Sequence, residues 1–367
     1  MKYIITENEC TGCGACYNIC PEKCIKMVEN KLGEIVPEIN NKYCIHCNLC
    51  KQVCPQNELL KTEFPKKCYV AWSKNEDNLR YSASGGIGAT LSLLAFNREF
   101  NVYGCDYNSY GELFHFKIDS IQHIERIRGS KYSQSIAYKI FREIKYKLNN
   151  GEKVLFFGTP CQISGLKKFL MKEYKFLFTV DLVCHGTPPN KYLKEYLNRR
   201  HIYKNITKIS FRGEYDQKIA VWVDRKLMYL KDRKDDIYFK SFYANIISRN
   251  SCYLCKYANP YRISDITIGD FWGLKSLNEI KPLNNRPSLV LLNTKKGIDL
   301  FNMIKNYLVY EERAVDEGIK GNGRLNSYPS KNKKAVFFQK LYPIIGFDYS
   351  IKIVNLIGII AAKLRGD

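Results

Sequence analysis

The sequence predicts an α/β protein in which a small α+β module precedes a mixed α/β region. Three observations carry this prediction. Cysteines are dense in the first 64 residues, strand and helix patterns alternate up to about residue 204, and shorter strand-like runs follow. With 367 residues, 45% of them hydrophobic and 26% charged, the chain is long enough for two or three globular units.

Composition limits the compartment and the partners. Fifteen cysteines in a chain with no apparent secretory leader indicate metal or redox chemistry in the cytoplasm. The net charge of +22 lies entirely beyond residue 64, because residues 1–64 hold seven Lys and eight Glu. Such a basic body attracts phosphate-bearing cofactors or an acidic redox protein. We expect no nucleic-acid partner, since the Lys and Arg residues are scattered and no zinc-finger or RNP pattern occurs.

The chain divides into four predicted segments. Cysteine-rich composition ends near "KTEFPKKCYV", at about residue 65, and the predicted segments are 1–64, 65–150, 151–295 and a helical extension over 296–367. The apolar run "IVNLIGIIAAKL" (353–364) is shorter than the roughly 18 residues that span a bilayer. It predicts a packing helix and no transmembrane segment, with a peripheral membrane contact as the alternative.

The middle of the chain reads as βαβ units. "SQSIAYKIFREIKYKLNNG" (133–151) predicts an amphipathic helix, because apolar residues recur every four positions before Gly151. Helices are also predicted from Pro160, after Pro189, and near 235–248 and 296–307. The predicted strands are "NVYGCDY", "ELFHFKI", "KVLFFG", "KFLFTVDLVC", "TKISFRG", "KIAVWVD", "DITIGDFWG" and "SLVLLNT". Short apolar runs separated by helices predict a mostly parallel sheet.

The first 55 residues contain a repeated cysteine motif. "CTGCGACYNICP" and "CIHCNLCKQVCP" are each C-x2-C-x2-C-x3-C-P, the spacing typical of a bacterial two-cluster ferredoxin, in which the fourth cysteine of each run binds the other cluster. The motif predicts two 4Fe-4S clusters. One is held by Cys10, Cys13, Cys16 and Cys54, and the other by Cys44, Cys47, Cys50 and Cys20.

Neighbouring residues suit this motif. Gly12 and Gly14 allow the backbone to curl around a cluster, and the closing prolines prevent a helix from continuing. A zinc-binding cluster is the alternative, although zinc does not require four cysteines in each run. Cys24, just outside the motif, is interpreted as a buried small residue.

Six cysteines lie beyond residue 60, and four of them are informatively placed. Cys161 opens a helix after one buried strand, and Cys184 ends the next, so parallel strands would bring both to one carboxyl edge. Together with Cys252 and Cys255 they make four ligands. From spacing alone a third cluster, a structural zinc and unrelated buried cysteines all stay open, whereas a thioredoxin-like pair is disfavoured because the C-x-x-C follows a helix.

Two turns before helices have the composition of phosphate sites. "YSASGGIGATLSLLAF" (81–96) is rich in serine and glycine, but it is neither a dinucleotide nor a P-loop fingerprint, so an ordinary turn is equally consistent. "RGSKYSQS" (128–135) supplies either a phosphate contact or a helix cap. His185 is either an acid or base or a structural hydrogen-bonded histidine.

Six fragments follow one another along the chain: "YSASGGIGATL", "GSKYSQS", "VLFFGTPCQISGLKKFL", "DLVCHGTPP", "SFRG" and "CYLCKYANPYRISDITIGDFWG". In this order they resemble the coenzyme F420 hydrogenase/dehydrogenase beta subunit family, fused here to an N-terminal bacterial-type ferredoxin. The resemblance covers the chain from residue 10 to about 293. Members of this family are iron–sulfur flavoproteins.

The resemblance implies particular site residues. A third 4Fe-4S cluster would be bound by Cys161, Cys184, Cys252 and Cys255. An FAD site would be lined by Ser82, Ser84, Gly85, Gly86, Thr90, Ser130, Lys131 and Tyr132, with Lys131 and Arg212 holding anionic groups on FAD or substrate. Lys131 and His185 are the candidate catalytic residues.

The function implied is electron transfer coupled to hydride chemistry. Clusters pass single electrons and an organic substrate takes a hydride, so a flavin is the expected converter. The substrate would be coenzyme F420 or another small molecule, and the donor a ferredoxin or other redox partner protein. The competing hypothesis is an electron-relay subunit of a larger hydrogenase, dehydrogenase or reductase, without a substrate of its own.

Overall fold

The computed structural model describes residues 4–274 and 286–363, with side chains up to residue 357. The N-terminal region has a short helix after the start of each cysteine run and an antiparallel hairpin between the runs. Its elements are α1 (Ala15–Ile19), β1 (Ile25–Glu29), β2 (Ile35–Ile39) and α2 (Leu49–Gln52). Its core is small, formed by Ile4, Ile25 and buried cysteines.

An eight-stranded sheet forms the centre of the remaining chain. In spatial order its strands are β13 (Leu308–Arg313), β3 (Lys67–Ser73), β12 (Ser288–Leu292), β11 (Ile266–Asp270), β7 (Leu177–Leu182), β6 (Val154–Gly158), β4 (Asn101–Tyr107) and β5 (Leu113–Lys117). Strands β4, β6, β7 and β11 run parallel, and the flanking strands pair antiparallel.

The expectation of a mostly parallel sheet is therefore wrong for the sheet as a whole and right for its four central strands. One reason is local. Only Asn108–Glu112 separate β4 from β5, and Asn108 accepts hydrogen bonds from the backbone N–H groups of Tyr110 and Glu112. A turn this short can join only antiparallel neighbours.

Helices cover both faces of the sheet, which is the predicted α/β arrangement. They are α3 (Glu76–Tyr81), α4 (Ile87–Phe96), α5 (His123–Ile127), α6 (Phe141–Asn149), α7 (Pro160–Leu170), α10 (Lys295–Ile304) and α11 (Val315–Lys320). Alternation along β3 shows the two faces: Tyr69 and Ala71 join one buried cluster, whereas Cys68 and Val70 join another. Helices α6 and α7 pack in a third cluster together with Ala15 and Val53 of the N-terminal region.

A three-stranded sheet and the C-terminal helix make an aromatic layer. Its elements are α8 (Asn190–Asn198), β8 (Ile206–Ser210), β9 (Lys218–Val223), β10 (Lys226–Asp232), α9 (Ile237–Tyr243) and α12 (Lys333–Lys363). α12 is interrupted at Gly346, whose φ is 71°, and it buries Phe338 and Ile351 in this layer. This agrees with a C-terminal packing helix, although the side chains of the predicted run beyond residue 357 lie outside the described ones. Within the described part of the chain, no helix is long and apolar enough to cross a membrane.

Two helices are shorter than predicted, and five strands were not predicted: β1, β2, β3, β10 and β13. The helix predicted over 133–151 begins only at Phe141, after a 3-10 turn (Tyr138–Ile140). Ile136 instead forms a β-bridge with Phe114, so its place in the four-residue repeat reflects sheet pairing. The helix predicted near 235–248 is Ile237–Tyr243.

Candidate functional site

The cysteines of the N-terminal region line two separate cavities in the predicted crossed pattern. The first cavity is lined by Cys10, Cys13, Cys16 and Cys54, and the second by Cys20, Cys44, Cys47 and Cys50. Gly12 and Gly14 have φ of 66° and 70°, as a tight loop around a cluster requires. Gly14 also packs so closely on Tyr138 that a side chain would overlap it.

The donor set in these cavities fits iron–sulfur clusters. Burial raises the pKa of Cys13 to about 12 and that of Cys16 well above its usual value, so unbound thiolates would be unfavourable there. Iron compensates that cost, because thiolates are its ligands in such clusters. Within the described residues, no three His, Cys, Asp or Glu side chains converge on a single ion. The thiols instead surround cavities.

Cys24 adds a fifth thiol to the second cavity. Its Sγ lies 3.5 Å from that of Cys20, and it contributes to the cavity wall. The interpretation as a buried small residue is correct for its burial, but it missed this proximity to the ligands. The four-residue spacing from Cys20 could have indicated it.

A third cavity is lined by Cys161, Cys184, Cys252 and Cys255. Cys161 lies in the first turn of α7, which starts from a capping box between Thr159 and Gln162. Strands β6 and β7 are parallel neighbours, so Cys161 and Cys184 emerge at one carboxyl edge as predicted.

The C-x-x-C pair reaches this edge from another part of the chain. Cys252 lies in the 3-10 turn Asn250–Leu254, and Cys255 follows it. The backbone N–H of Thr187 donates to the Cys252 Sγ at 3.4 Å, which ties the pair to the segment after Cys184. Burial raises the pKa of all four thiols. The third cavity thus has the same donor chemistry as the two N-terminal ones.

The first and third cavities adjoin each other. A Cβ on Gly165 of α7 would lie 2.6 Å from the Cβ and 2.9 Å from the Sγ of Cys13, so the helix that carries Cys161 packs directly on a thiol of the first cavity. The fully buried Arg249 donates to the carbonyls of Cys10 at 2.8 Å and Ile35 at 3.1 Å. These contacts fix the N-terminal region to the rest of the described chain, from β3 onward, which we call the body.

The serine- and glycine-rich turn lies at the same edge of the sheet. The backbone N–H of Gly85 donates to Ser288 Oγ at 2.9 Å, and Ser84 Oγ lies 2.8 Å from that hydroxyl. Thr90 Oγ1 donates to Ser73 Oγ at 3.0 Å. Gly86 begins α4 with φ of 76°, and Ser82 is buried. These contacts explain the turn structurally and leave its proposed phosphate role a prediction.

The segment Ser130–Tyr132 lies beside Arg212 and the end of α3. A side chain on Gly129 would meet the Arg212 carbonyl at 2.9 Å, and one on Gly213 would meet the Tyr81 carbonyl at 2.7 Å. The predicted flavin segments are therefore neighbours. Nε of Arg128 is buried with no hydrogen-bond partner among the described residues, so a polar ligand group fits next to it.

Several of the predicted side chains already have protein partners. Lys131 Nζ donates to the carbonyls of Arg126 at 2.9 Å and Arg128 at 2.8 Å, and burial lowers its pKa. The Tyr132 ring stacks on Phe242, with 4.2 Å between ring centroids. To bind FAD as predicted, Lys131 and Tyr132 would have to contact it in addition to these protein partners.

Arg212 and His185 both interact with Asp270, the last residue of β11. Arg212 pairs with Asp270 and, at 3.2 Å, with Asp216, so two carboxylates already oppose its charge. Desolvation, followed by the charge of Arg324, lowers the pKa of His185, while Asp270 raises it. Both predicted residues are near the carboxyl edge.

The prediction from sequence missed the cations of the third cavity. Its walls include Arg249, Lys256, Arg262 and Arg324. Arg249 stands three residues before Cys252, a spacing that could have indicated it. Arg324 is 69 residues beyond Cys255, and no local signal marks it.

Two family models match the chain. Residues 9–57 match the 4Fe-4S dicluster domain, and residues 151–318 match the C terminus of the coenzyme F420 hydrogenase/dehydrogenase beta subunit. These matches confirm the predicted resemblance and the presence of iron–sulfur clusters in the N-terminal region.

Similar individual proteins include a coenzyme F420-dependent sulfite reductase of Methanocaldococcus jannaschii, which is 20% identical in an alignment of 330 residues that covers 83% of this chain. This chain spans about half of that relative, 47% of its length. Among solved structures, a chain from the F420-reducing [NiFe] hydrogenase complex of Methanosarcina barkeri aligns with a TM-score of 0.48 and 18% identity. The alignment covers 71% of this chain and 91% of that one.

Proposed function

We propose that this chain is an iron–sulfur flavoprotein oxidoreductase that exchanges electrons between 4Fe-4S clusters and FAD and reduces or oxidises coenzyme F420 or another small organic substrate. The observation that carries the proposal is that α7, the helix that carries Cys161 of the third thiol set, packs at Gly165 against Cys13 of the first set. Electron transfer needs closely spaced centres, and this contact places two four-thiol cavities side by side.

The described residues suit the groups that the proposal requires. Cys161, Cys184, Cys252 and Cys255 would hold the third cluster. The turn from Ser82 to Thr90 and the segment Ser130–Tyr132 would hold FAD, with the unpaired Nε of Arg128 available to one of its polar groups. Iron–sulfur clusters exchange single electrons and flavin exchanges one or two, which is the chemistry these groups supply when bound.

The chain's own side chains have distinct tasks under this proposal. Arg212, held by Asp270 and Asp216, orients one wall of the FAD region. His185 and Lys131 are the two groups able to hold or move a proton there. Burial lowers the pKa of Lys131 from its usual value, which makes it a stronger proton donor than an exposed lysine.

Iron, sulfide and flavin analysis after anaerobic purification tests the cofactor content. We expect about twelve iron atoms and one FAD in each chain. About eight iron atoms together with zinc would refute the third cluster, and a chain that retains no flavin after reconstitution with FAD would refute the flavoprotein assignment.

The second candidate is an electron-relay subunit. It is favoured by the difference in length: the curated relative is named for sulfite reduction, but this chain spans about half of it. Stopped-flow reoxidation of the dithionite-reduced protein separates the candidates. Rapid reoxidation by coenzyme F420 or another organic acceptor supports the enzyme. Reoxidation only by a partner protein supports the relay.

A further inference from the structure

The three thiol-lined cavities differ in the charge of their walls. The third cavity has four cations, Arg249, Lys256, Arg262 and Arg324. The described residues that line the first cavity include no acidic or basic side chain, and those that line the second include only Glu22. Arg249 and Lys256 also interact with Cys10 and Cys54 of the first set, so the positive charge that belongs to the third set alone comes from Arg262 and Arg324.

We propose that the third thiol set holds the iron–sulfur centre of highest reduction potential, and that Arg324 is the residue that raises it. This inference rests on the proposed function, because it requires the third cluster. A cluster gains one negative charge when it takes one electron, and no bond or proton is exchanged. A fixed cation stabilises that reduced form, since net charge and surroundings set cluster potentials. Among the iron–sulfur centres, the first electron added to the oxidised protein therefore resides at the third.

Arg324 is held rigidly beside the C-x-x-C pair. Its Nη2 donates to Asn245 Oδ1 at 2.9 Å, and the Asn245 carbonyl accepts from the hydroxyl of Tyr253 at 2.7 Å. Tyr253 lies between the two cysteines. Arg324 interacts electrostatically with Cys184, Cys252 and Cys255.

The segment that carries Arg324 lies just beyond the matched family model, which ends at residue 318. Gly321 packs on the backbone of Trp272 so closely that a side chain would overlap it. Asn322 donates to the carbonyl of Gly318 at 3.0 Å, and Leu325 is fully buried. The segment is thus a fixed wall of the cavity, which gives the predicted C-terminal extension a part in the redox site.

Arg324 differs from the other three cations. Arg262 forms a buried ion pair with Asp181 at 2.9 Å, and Arg249 is shared with the first cavity through the Cys10 carbonyl. Lys256 Nζ donates to the Gln56 carbonyl at 2.7 Å. Arg324 instead donates to a neutral amide, and no carboxylate among the described residues pairs with it, so its charge acts on the thiols.

Solvent raises the reduction potential of a centre in the second cavity. Cys47 is exposed there, and water, like a cation, stabilises a reduced cluster. A charge in a partly desolvated cavity interacts more strongly than one in water. We therefore place the third centre above the second as well as above the first.

The test is a redox titration of the reconstituted full-length protein with dithionite, followed by electron paramagnetic resonance. The signal missing from Cys255→Ser identifies the third centre. In the wild type it should be reduced first. Arg324→Gln should lower its potential, leave the other two signals unchanged and retain all iron, whereas Arg324→Lys should keep the wild-type potential. Arg199→Gln, at an exposed arginine, is the matched control and should change no signal.

The outcomes separate this inference from the proposed function. A wild type with about twelve iron atoms whose third centre is reduced last would overturn the inference alone. An unchanged potential in Arg324→Gln would overturn the role of Arg324. A wild type with about eight iron atoms would overturn the proposed function itself.

Discussion

The N-terminal and third thiol sets are assembled in opposite ways. Each N-terminal cavity takes three cysteines from one short run and a fourth from the other run, within residues 10–54. The third cavity takes Cys161 and Cys184 from the ends of two parallel strands and a pair from a turn 68 residues further along the chain. Local spacing thus specifies the first two sets, whereas the topology of the sheet specifies the third.

The two regions also differ in what surrounds their thiols. In the N-terminal region the cysteines themselves form much of the small core, with Ile4 and Ile25. The body has large apolar cores on both faces of its sheet. A small core depends on its metal for stability, because binding free energy becomes folding free energy. Loss of metal should therefore unfold the N-terminal region and leave the body folded.

The largest expected effect comes from removing a ligand in each region. Cys255→Ser should lose about four iron atoms, keep the N-terminal clusters and leave the body folded. Cys16→Ser should lose at least as much iron and also make residues 4–57 sensitive to protease. Iron analysis and limited proteolysis under anaerobic conditions measure both effects.

The control for these variants is Cys68→Ser. Cys68 is fully buried in a cluster of apolar residues and lies in the wall of none of the three cavities. Cys68→Ser should keep the full iron content. Unchanged iron in Cys255→Ser would contradict the assignment of the third set.

The same contrast explains which parts of the site were predictable. The eight N-terminal ligands follow from one repeated spacing. The grouping of Cys161 with Cys184 followed from two apolar runs, because parallel strands end at the same edge. Arg324 was not predictable, since its place at the cavity depends on its own contact with Asn245 and on that of Gly321 with Trp272, which no local pattern records.

The fold was predictable to a similar degree. The central strands and α7 follow from continuous apolar runs and from Pro160. The arrangement of the full sheet was not predictable from these runs, because β3, β12 and β13 add antiparallel strands to one side of the parallel centre. The early part of the helix predicted over 133–151 was wrong because Ile136 satisfies its backbone at the sheet edge, where its N–H donates to the Leu113 carbonyl at 2.9 Å.

A smaller effect should appear in how the stability of the body depends on pH. His115 of β5 is buried, with Nε2 2.9 Å from the Phe157 carbonyl, and burial lowers its pKa to about 4. The unfolded chain binds the proton near pH 6.5, so stability is complete above that value and is lost as the pH falls toward 4. Between about pH 7 and pH 5 the body should lose about 2 kcal/mol of unfolding free energy through this group.

Urea unfolding of wild type and His115→Gln at the two pH values measures this loss. The variant should lack that part of the pH dependence, whatever its stability at pH 7. Equal pH dependence in the two proteins would show that His115 does not remain neutral in the folded body.

The smallest effect should arise where the two regions meet. Gly165→Ala places a methyl group 2.6 Å from the Cβ of Cys13, on a side chain that a bound cluster would prevent from moving away. Overpacking costs about 1–3 kcal/mol, and the gain in helix propensity returns up to about 1 kcal/mol, so we expect a net loss of about 1 kcal/mol.

Gly88→Ala is the matched control, because Gly88 is also helical but its added Cβ would meet Ile268 at an ordinary 3.5 Å. Urea unfolding should show Gly165→Ala destabilised and Gly88→Ala unchanged or stabilised. If the two variants behaved alike, the N-terminal region would not be packed on α7. The packing of α7 on Cys13 would then no longer support electron exchange between the first and third thiol sets.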